Sequence, residues 1–319
     1  MAYAIMCSGG DAPGMNPAIK KFVDYVYKLG KTPYLIYDGL EGLIEGKIQQ
    51  AYHSDVAGIL HRGGTVIRSS RSKRFFDKAY RQKGYENLQQ HDIGSLVVLG
   101  GDGSFRAMEV FSKEFALDFV GIPSTIDNDI YKTEYALGVD TALNVIRDAI
   151  DKIKDTASSF NRAFVVEVMG RECGYLAGVS AMISGAEICL VPEIPFEKEK
   201  TLSRLKEEFA QGRNYLLAIV AEGCGATREL QECIENELGI ETRVSILGHI
   251  QRGGNPSVYD RLMAFEFVVQ AVDLLCEKKG IAKVIVYNNA KFSFVDIGEV
   301  VEKKNTIPEH IVKNLALLD

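Results

Sequence analysis

The sequence lacks the features that mark secreted, membrane-spanning and disulfide-stapled proteins. The amino terminus has no basic stretch followed by an apolar one, so no secretory signal is predicted. No uncharged apolar run approaches the ~20 residues that a membrane-spanning helix needs. None of the six cysteines forms a C-x-x-C pair, which opposes a zinc site and a disulfide framework; they stand at positions 7, 173, 189, 224, 233 and 276. We therefore expect a soluble, cytoplasmic protein.

The sequence also lacks the basic excess of a general nucleic-acid binder. It has 37 Lys and Arg against 43 Asp and Glu, a net charge of −6 over 319 residues. That balance argues against a nucleic-acid partner, and the lack of a spanning apolar run argues against a membrane partner. A phosphorylated substrate is still compatible, because a few local arginines outweigh the global sign. The Arg-rich stretches 62–74 and 249–254 are candidates for such a local pocket.

Short apolar runs alternate with helix-length segments nearly throughout the chain. This alternation predicts an α/β protein with mainly parallel sheets covered by helices on both faces. Nine strands are many for one compact sheet, so we expect two α/β lobes of three layers each that exchange chain more than once. The predicted strands are 3–7, 32–37, 95–100, 118–122, 163–168, 187–191, 216–222, 243–247 and 283–287.

Glycine-rich or polar segments follow six of these strands. Ligands of parallel sheets collect beyond the carboxyl ends of the strands, so these segments predict one ligand crevice. They are SGGDAPGMN (8–16), GGDGS (100–104), STIDNDI (124–130), MGRECG (169–174), EGCG (222–225) and GHIQRGG (248–254).

Two of these segments have the composition of phosphate-binding loops. SGGDAPGMN matches neither G-x-G-x-x-G nor G-x-x-x-x-G-K-[ST], and two interpretations are open for it. It is either a tight strand-to-helix turn or a phosphate site at a helix amino terminus, with Gly10 against the phosphate. For GGDGS, a phosphate site is favoured over a simple turn. Its glycines leave room for a polyphosphate, and Asp102 is a ligand suited to Mg²⁺.

STIDNDI alone is typical of a polar turn, since Asp and Asn are common turn residues. Beside two phosphate-suited loops it indicates chemistry instead. Phosphoryl transfer needs a base, a metal and cations around the transferred group. Asp127 is the candidate base, and Asp129 is a carboxylate available near the metal.

Cationic residues near strand ends complete this pattern. A single surface arginine usually belongs to a solvated face, but four of them together predict a sugar-phosphate pocket, because guanidinium groups match phosphate oxygens. Glu222, just past an apolar strand, is a candidate acceptor for sugar hydroxyls. The cationic residues are Arg162, Arg171, Arg243 and Arg252, with His249 beside the last.

Together these segments resemble the phosphofructokinase family, in particular its bacterial ATP-dependent members. The resemblance covers almost the full chain and is carried, in family order, by SGGDAPGMN, RGGT, GGDGS, TIDNDI, VVEVMGR, ETRVSILGHIQRGG and YDR. It implies a glycolytic kinase that moves the ATP γ-phosphate to the 1-hydroxyl of fructose 6-phosphate with Mg²⁺ and works as a homotetramer. It also implies a larger ATP-binding lobe (1–138 and 251–305) and a smaller sugar-phosphate lobe (139–250 and 306–319).

Matched residue by residue, the resemblance implies roles for individual positions. Asp127 would be the general base, helped by Thr125, Arg171 and Arg71. The implied ATP-binding residues are Gly10, Arg71, Ser72, Gly101, Asp102, Gly103 and Ser104, with Asp102 and Asp129 near the metal. The implied sugar-phosphate residues are Thr125, Asp127, Met169, Gly170, Arg171, Glu222, His249 and Arg252, with Arg162 and Arg243 reaching the site of a neighbouring subunit.

The identity of the phosphoryl donor follows from two positions. Pyrophosphate-dependent relatives usually carry Asp in place of Gly103 and Lys in place of Ser124, so the chain favours ATP. Two nearby segments depart from the family. GGDGSFRAM lacks the usual glycine near the adenosine, and SKRFF replaces FPEF or CPEF after Arg71.

The resemblance further implies a second site between subunits for an effector, ADP or phosphoenolpyruvate. Asp24 stands where the family usually has Arg, Gln211 where a basic residue is common and Gly58 where Asp is common. We therefore expect effector control to be weakened or lost. The remaining counterparts of the effector site are Lys20, Lys154, Glu187 and Arg213.

Two other functions stay open: a kinase of another sugar phosphate or of NAD, and a non-catalytic regulator that binds sugar phosphate. The arginines favour fructose 6-phosphate over other acceptors, and the intact Asp102, Thr125, Asp127 and Arg171 disfavour a regulator. A dinucleotide-dependent oxidoreductase is disfavoured because no G-x-G-x-x-G follows a strand.

Overall fold

The computed structural model describes residues 2–318, so Met1 and Asp319, at the outer limits of the predicted lobes, lie outside the described residues. The chain divides into two compact units. Unit 1 contains residues up to 126 together with 130–141 and 252–305. Unit 2 contains residues 127–129, 142–251 and 306 onward. The tripeptide 127–129 therefore packs with unit 2, while the residues on both sides of it belong to unit 1.

Unit 1 is built on a seven-stranded sheet in the order β11-β10-β5-β4-β1-β2-β3. Its interior pairs are parallel, whereas β2–β3 and β10–β11 are antiparallel. Its strands are β1 (Ala2–Cys7), β2 (Pro33–Ile36), β3 (Ile48–Gln50), β4 (Ile93–Gly100), β5 (Asp118–Pro123), β10 (Ala282–Asn288) and β11 (Lys291–Asp296).

Unit 2 is built on a four-stranded sheet in the order β7-β8-β6-β9, and all of its pairs are parallel. Its strands are β6 (Ala163–Val168), β7 (Ile188–Leu190), β8 (Leu216–Ala221) and β9 (Thr242–Ile246). The prediction of an α/β fold with mainly parallel sheets is confirmed. The sequence pattern missed the two antiparallel edge strands β3 and β11, because their residues do not form continuous apolar runs.

Helices cover both sheets. Those of unit 1 are α1 (Met15–Lys28), α2 (Gly39–Glu45), α3 (Lys78–Gln90), α4 (Asp102–Glu114), α9 (Val258–Glu277) and α10 (Ile297–Glu302). Those of unit 2 are α6 (Tyr175–Ser184), α7 (Lys198–Ala210), α8 (Thr227–Leu238) and α11 (Glu309–Leu315). The helix α5 (Val139–Phe160) begins in unit 1 and continues into unit 2. No helix among residues 2–318 is long and apolar enough to cross a membrane.

Helices of both units bury apolar side chains on one face. In α1, the buried residues Ile19, Phe22, Val23 and Val26 recur at spacings of three and four, which places them on one helix face. Fully buried aromatic side chains of α4 pack into the core of unit 1, including Phe105. Burying such side chains is the main favourable term in folding, and it fixes the strand ends from which the polar segments project.

Asp38 stabilises the segment that leads to Arg71. Its carboxylate accepts hydrogen bonds from Arg68 Nε (2.5 Å) and Nη2 (2.9 Å) and from Lys47 Nζ (2.7 Å). Its backbone N–H donates to the carbonyl of Ile67, and its carbonyl accepts from Ser70 Oγ. The hydrogen bonds from Arg68, and then from Lys47, lower the pKa of Asp38 to about 2.

This lowered pKa predicts how Asp38→Asn changes stability with pH. A carboxylate whose pKa is lowered on folding contributes stability above its unfolded pKa of about 4, and that contribution is lost as pH falls through the folded value. Asn tolerates the left-handed backbone at position 38 (φ 59°). The variant should melt below the wild type at pH 7, and the difference should shrink between about pH 4 and pH 2.

Thermal melting from pH 7 to pH 2 measures this difference. Asp155→Asn, at an exposed position, is the matched control and should follow the wild type. A difference between Asp38→Asn and wild type that stays constant over the whole pH range would contradict the role of the ion pairs.

Candidate active site

Three segments at the carboxyl ends of neighbouring strands come together in unit 1. They follow β1, β4 and β5, which lie side by side in the sheet. A Cβ on Gly9 would lie 3.1 Å from Ser104 Oγ, and a Cβ on Gly101 would lie 3.5 Å from the Cβ of Thr125. The segments thus touch one another through glycines, and two of them lead into the starts of α1 and α4. A helix start of this kind binds anions well.

Arg252 reaches the first of these segments. Its Nη1 lies 3.4 Å from the carbonyl oxygen of Asp11 and donates to it. A Cβ on Gly10 would overlap the Arg252 guanidinium, which would then have to shift. The structure therefore brings together two predicted site residues, Gly10 and Arg252, that stand more than 200 positions apart in the chain.

Asp102 is the first residue of α4 and is paired within its own helix. Arg106 Nε donates to both carboxylate oxygens at 3.1 and 3.0 Å. The sequence interpretation did not include Arg106, although its i,i+4 spacing from Asp102 predicts such a pair. A side chain on Gly103 would meet nothing within 4 Å, so the space in front of the helix start is open. Ala107, in place of the family's glycine, is partly buried against the core.

The segment after Arg71 is fixed to α2. Ser72 Oγ accepts from the backbone N–H of Phe75, and Arg74 pairs with Glu41 and with Glu45. Phe75 is buried in the core of unit 1. Arg71 itself is exposed. The sequence SKRFF is thus an ordered turn, although it departs from the family pattern.

In unit 2, Asp127 faces Arg171. The Asp127 side chain is only 1% exposed, and its Oδ2 lies 3.2 Å from Arg171 Nε. Arg171 is held in the left-handed backbone region (φ 53°), and its N–H donates to Glu222 Oε1 at 2.9 Å. Asp129 is also buried, at 5% exposure. The predicted base Asp127 and two predicted substrate residues, Arg171 and Glu222, therefore form one cluster beyond the carboxyl ends of β6 and β8.

Gln251 orders the residues around this cluster and was not predicted from the sequence. Its Oε1 accepts from the N–H of Met169 at 3.1 Å, and its Nε2 donates to the carbonyl of Gly248 at 2.9 Å. The side chain is fully buried. It therefore joins the end of β6 to the segment that carries the exposed His249. In the sequence, only the place of Gln251 between His249 and Arg252 indicates a role for it.

Within one chain, Arg162 and Arg243 lie at the opposite end of the strands from Arg171. Arg162 precedes β6 and Arg243 is the second residue of β9, so both lie at the amino ends of the parallel strands. Both pair with the half-exposed Glu241. The hydrogen bond from Arg162 and the charges of both arginines lower the pKa of Glu241. The six residues of β6 span about 20 Å, so Arg162 and Arg243 lie at the opposite end of the strands from the cluster of their own chain.

The predicted effector residues are paired within their own units. In unit 1, Asp24 accepts from Lys20 Nζ at 2.9 Å and pairs with His53 Nδ1 at 2.8 Å. Burial raises the pKa of Asp24, but the hydrogen bonds from Lys20 and His53 outweigh it and lower the pKa overall. In unit 2, Glu187 pairs with Arg213, and Lys154 donates to the carbonyl of Ser184 at 2.7 Å.

Glycine-rich segments at parallel strand ends, with a buried carboxylate facing an arginine, define a phosphotransferase with two α/β units. The sequence profile described as "Phosphofructokinase" matches residues 2–275. The ATP-dependent 6-phosphofructokinase of Wolinella succinogenes is 55% identical over 314 residues, 98% of either chain, and that of Bacillus pumilus is 43% identical over 309 residues, 97% of this chain and 96% of the relative. The chain belongs to the phosphofructokinase family.

Solved structures agree with this assignment. The phosphofructokinase of Saccharomyces cerevisiae superposes with a TM-score of 0.91 at 33% identity, covering 94% of this chain and 45% of the yeast chain. The chain thus spans less than half of the yeast protein's length. The pyrophosphate-dependent phosphofructokinase of Marinobacter aquaeolei has a TM-score of 0.83 at 23% identity, covering 97% of this chain and 86% of that one, and shares the fold.

The buried amide of Gln251 generates a prediction. Gln251→Met keeps the side-chain length but leaves the Met169 N–H and the Gly248 carbonyl without their partner. Each unsatisfied buried group costs about 1–3 kcal/mol, so the melting temperature should fall by several degrees. Differential scanning calorimetry measures the fall, with Gln49→Met, at an exposed strand position, as control. Equal melting temperatures for the two variants would contradict the assigned role.

Proposed function

We propose that the chain has ATP-dependent 6-phosphofructokinase activity, transferring the ATP γ-phosphate to the 1-hydroxyl of fructose 6-phosphate. The products are fructose 1,6-bisphosphate and ADP. The observation that carries this proposal is the buried Asp127 carboxylate facing Arg171. A base and a cation side by side are what hydroxyl attack on a phosphoryl group requires. The names of the 55% and 43% identical relatives support the same donor and acceptor.

The nucleotide belongs to unit 1. Backbone N–H groups of the segments around Gly10 and at 101–104 would hold the phosphates at the starts of α1 and α4. Arg71 would neutralise charge on the transferred group, and Ser72 borders the same segment. A Cβ on Gly103 would meet nothing within 4 Å, and an ATP α-phosphate there would meet no repelling side chain of residue 103. Ser124 supplies no ammonium for pyrophosphate, and its Oγ donates to the carbonyl of Ile122. These features favour ATP as donor.

Mg²⁺ fits the residues present. No three His, Cys, Asp or Glu side chains within residues 2–318 form a metal cage, and Mg²⁺ typically takes only one or two protein carboxylates along with substrate phosphates and water. Asp102 would hold it, with Asp129 in support, and Arg106 would release Asp102 by moving into the solvent to which it is half exposed. When bound, Mg²⁺ supplies charge neutralisation at the β- and γ-phosphates.

Asp127 would remove the proton from the attacking hydroxyl. The Arg171 guanidinium lies beside this buried carboxylate and is a cation available to the transferred group. Arg171 and Thr125 would contact the phosphoryl group as it transfers. Glu222, which already fixes the Arg171 backbone, would accept hydrogen bonds from the sugar. Met169, Gly170, His249 and Arg252 would bind the rest of the sugar phosphate.

The position of Arg162 and Arg243 supports shared sites in a homotetramer. They lie at the opposite strand ends from Arg171, so they are available to the site of a neighbouring copy. Glu241 keeps the two guanidinium groups together at the surface. A sugar phosphate from the neighbouring site would replace this carboxylate as their partner.

Replacing the proposed base tests the chemistry. In Asp127→Ser, kcat should fall by roughly 10²–10⁴ because the proton acceptor is gone, while fructose 6-phosphate binding and folding are kept. Steady-state kinetics and isothermal titration with fructose 6-phosphate measure the two effects. A variant that keeps most of its kcat would contradict the assignment.

Sharing of sites generates a second prediction. Arg243→Ala should weaken fructose 6-phosphate binding by about 1.5–3 kcal/mol, the value of a hydrogen bond to a charged group. The exposed Arg228→Ala is the matched control and should bind normally. Hybrids of Arg243→Ala with Asp127→Ser chains should regain activity, because one site then receives an intact residue from each chain. Verified hybrids without any regained activity would exclude shared sites.

The effector residues generate a third prediction. A phosphate approaching Lys20 meets the Asp24 carboxylate, and like charges at close range disfavour binding. We therefore expect fructose 6-phosphate saturation curves to be nearly unchanged by millimolar ADP-Mg or phosphoenolpyruvate. Asp24→Arg should introduce or strengthen such a shift. A large shift in the wild type that is abolished by changing Glu187 or Arg213 would show that effector control is intact.

A further inference from the structure

A fully buried carboxylate holds the residues on which the phosphate-suited segments of unit 1 rest. Asp260, in the first turn of α9, is fully buried. Its Oδ1 accepts from Tyr135 Oη and from the N–H of Gly138 at 2.6 Å. Its Oδ2 accepts from the N–H of Thr141 at 2.8 Å and from Thr141 Oγ1. Four donors therefore converge on one side chain.

These four donors all belong to one short segment, residues 135–141. The same segment is tied to α9 a second time, because the Ser257 N–H donates to Thr141 Oγ1 at 2.9 Å and Ser257 Oγ accepts from the Asp260 N–H. Burial raises the pKa of Asp260, and the hydrogen bonds from Thr141, Tyr135 and Gly138 act against that rise. A buried carboxylate is tolerated only where its acceptor sites are filled, and here they are.

Segment 135–141 supports the first phosphate-suited segment from behind. Gly138 has a φ of +103°, and a Cβ there would lie 2.9 Å from the Cβ of Ala12 and 3.1 Å from the Cδ of Pro13. A Cβ on Gly14, the residue before α1, would lie 3.4 Å from the Cβ of Leu137. The backbone at the start of α1 thus rests directly on the segment that Asp260 holds.

The same segment also supports the end of β5. The N–H of Leu137 donates to the carbonyl of Pro123 at 2.9 Å, and Leu137 forms a parallel bridge with Ser124. Thr125 is the next residue. Two of the three segments that converge at the strand ends therefore depend on the position of residues 135–141.

We propose that Asp260 is a positioning residue for the phosphoryl donor: by fixing residues 135–141 it sets the position of the α1 start and of Thr125 against the ATP phosphates. This inference rests on the proposed function for the identity of the donor. Binding groups displaced by about 1 Å cost up to about 10²-fold in rate or affinity, so the effect should concentrate on the nucleotide.

Asp260→Asn tests the proposal. Asn has the same shape, but its N–H₂ group replaces one carboxylate oxygen. That group faces two of the four donors and cannot accept a hydrogen bond from them. The expected result is a dissociation constant for AMP-PNP with Mg²⁺ raised about tenfold or more, with the constant for fructose 6-phosphate raised by a clearly smaller factor. Isothermal titration measures both ligands separately. Phe267→Leu, which removes buried volume about two turns further along the same helix and touches none of the four donors, serves as a control for loss of stability alone.

Equal nucleotide affinity in Asp260→Asn and Phe267→Leu, at comparable melting temperatures, would overturn the proposal and leave Asp260 a purely structural residue. Should Asp260→Asn fail to fold, Tyr135→Phe decides, since it removes one of the four donors: AMP-PNP affinity should fall about threefold, and an unchanged affinity overturns the proposal. A wild type that binds AMP-PNP but does not phosphorylate fructose 6-phosphate would refute the proposed function and leave this inference standing.

Discussion

The ion pair between Asp127 and Arg171 is the interaction on which the proposed chemistry depends. A carboxylate with 1% exposure is costly unless a cation lies beside it. That requirement explains the unusual backbone around the arginine: Gly170 and Arg171 both have positive φ, and Glu222 fixes the Arg171 N–H. Any change that moves this turn also moves the Arg171 cation relative to the buried carboxylate, so the geometry of the base and the stability of the turn are linked.

The direction of the parallel strands sorts the remaining residues into groups. Carboxyl ends carry the glycine segments of unit 1 and the carboxylate cluster of unit 2, whereas the amino ends of β6 and β9 carry Arg162 and Arg243. A six-residue strand separates the two ends by about 20 Å. The sheet itself therefore separates the residues proposed to act within one chain from those proposed to reach another copy, and this separation makes a homo-oligomer part of the proposed mechanism rather than an addition to it.

The sequence predicted the parallel strands and the loops well, because continuous apolar runs and glycine clusters are local signals. It did not predict the antiparallel edges β3 and β11, whose residues are partly exposed. It also did not predict Gln251, Arg106 or Asp260. The role of each comes from contacts that a linear pattern does not contain, such as the four donors that Asp260 gathers from residues 135–141. The i,i+4 pair of Arg106 with Asp102 is the exception, since spacing alone indicates it.

A donor–acceptor assay tests the central claim most directly. The purified protein is incubated with fructose 6-phosphate and Mg²⁺ together with ATP, ADP or pyrophosphate, and phosphorus NMR follows the products. The account predicts that only ATP is consumed, that ADP and fructose 1,6-bisphosphate form in equal amounts, and that orthophosphate does not accumulate. Equal or faster consumption of pyrophosphate, or hydrolysis of ATP without a sugar bisphosphate, would contradict it.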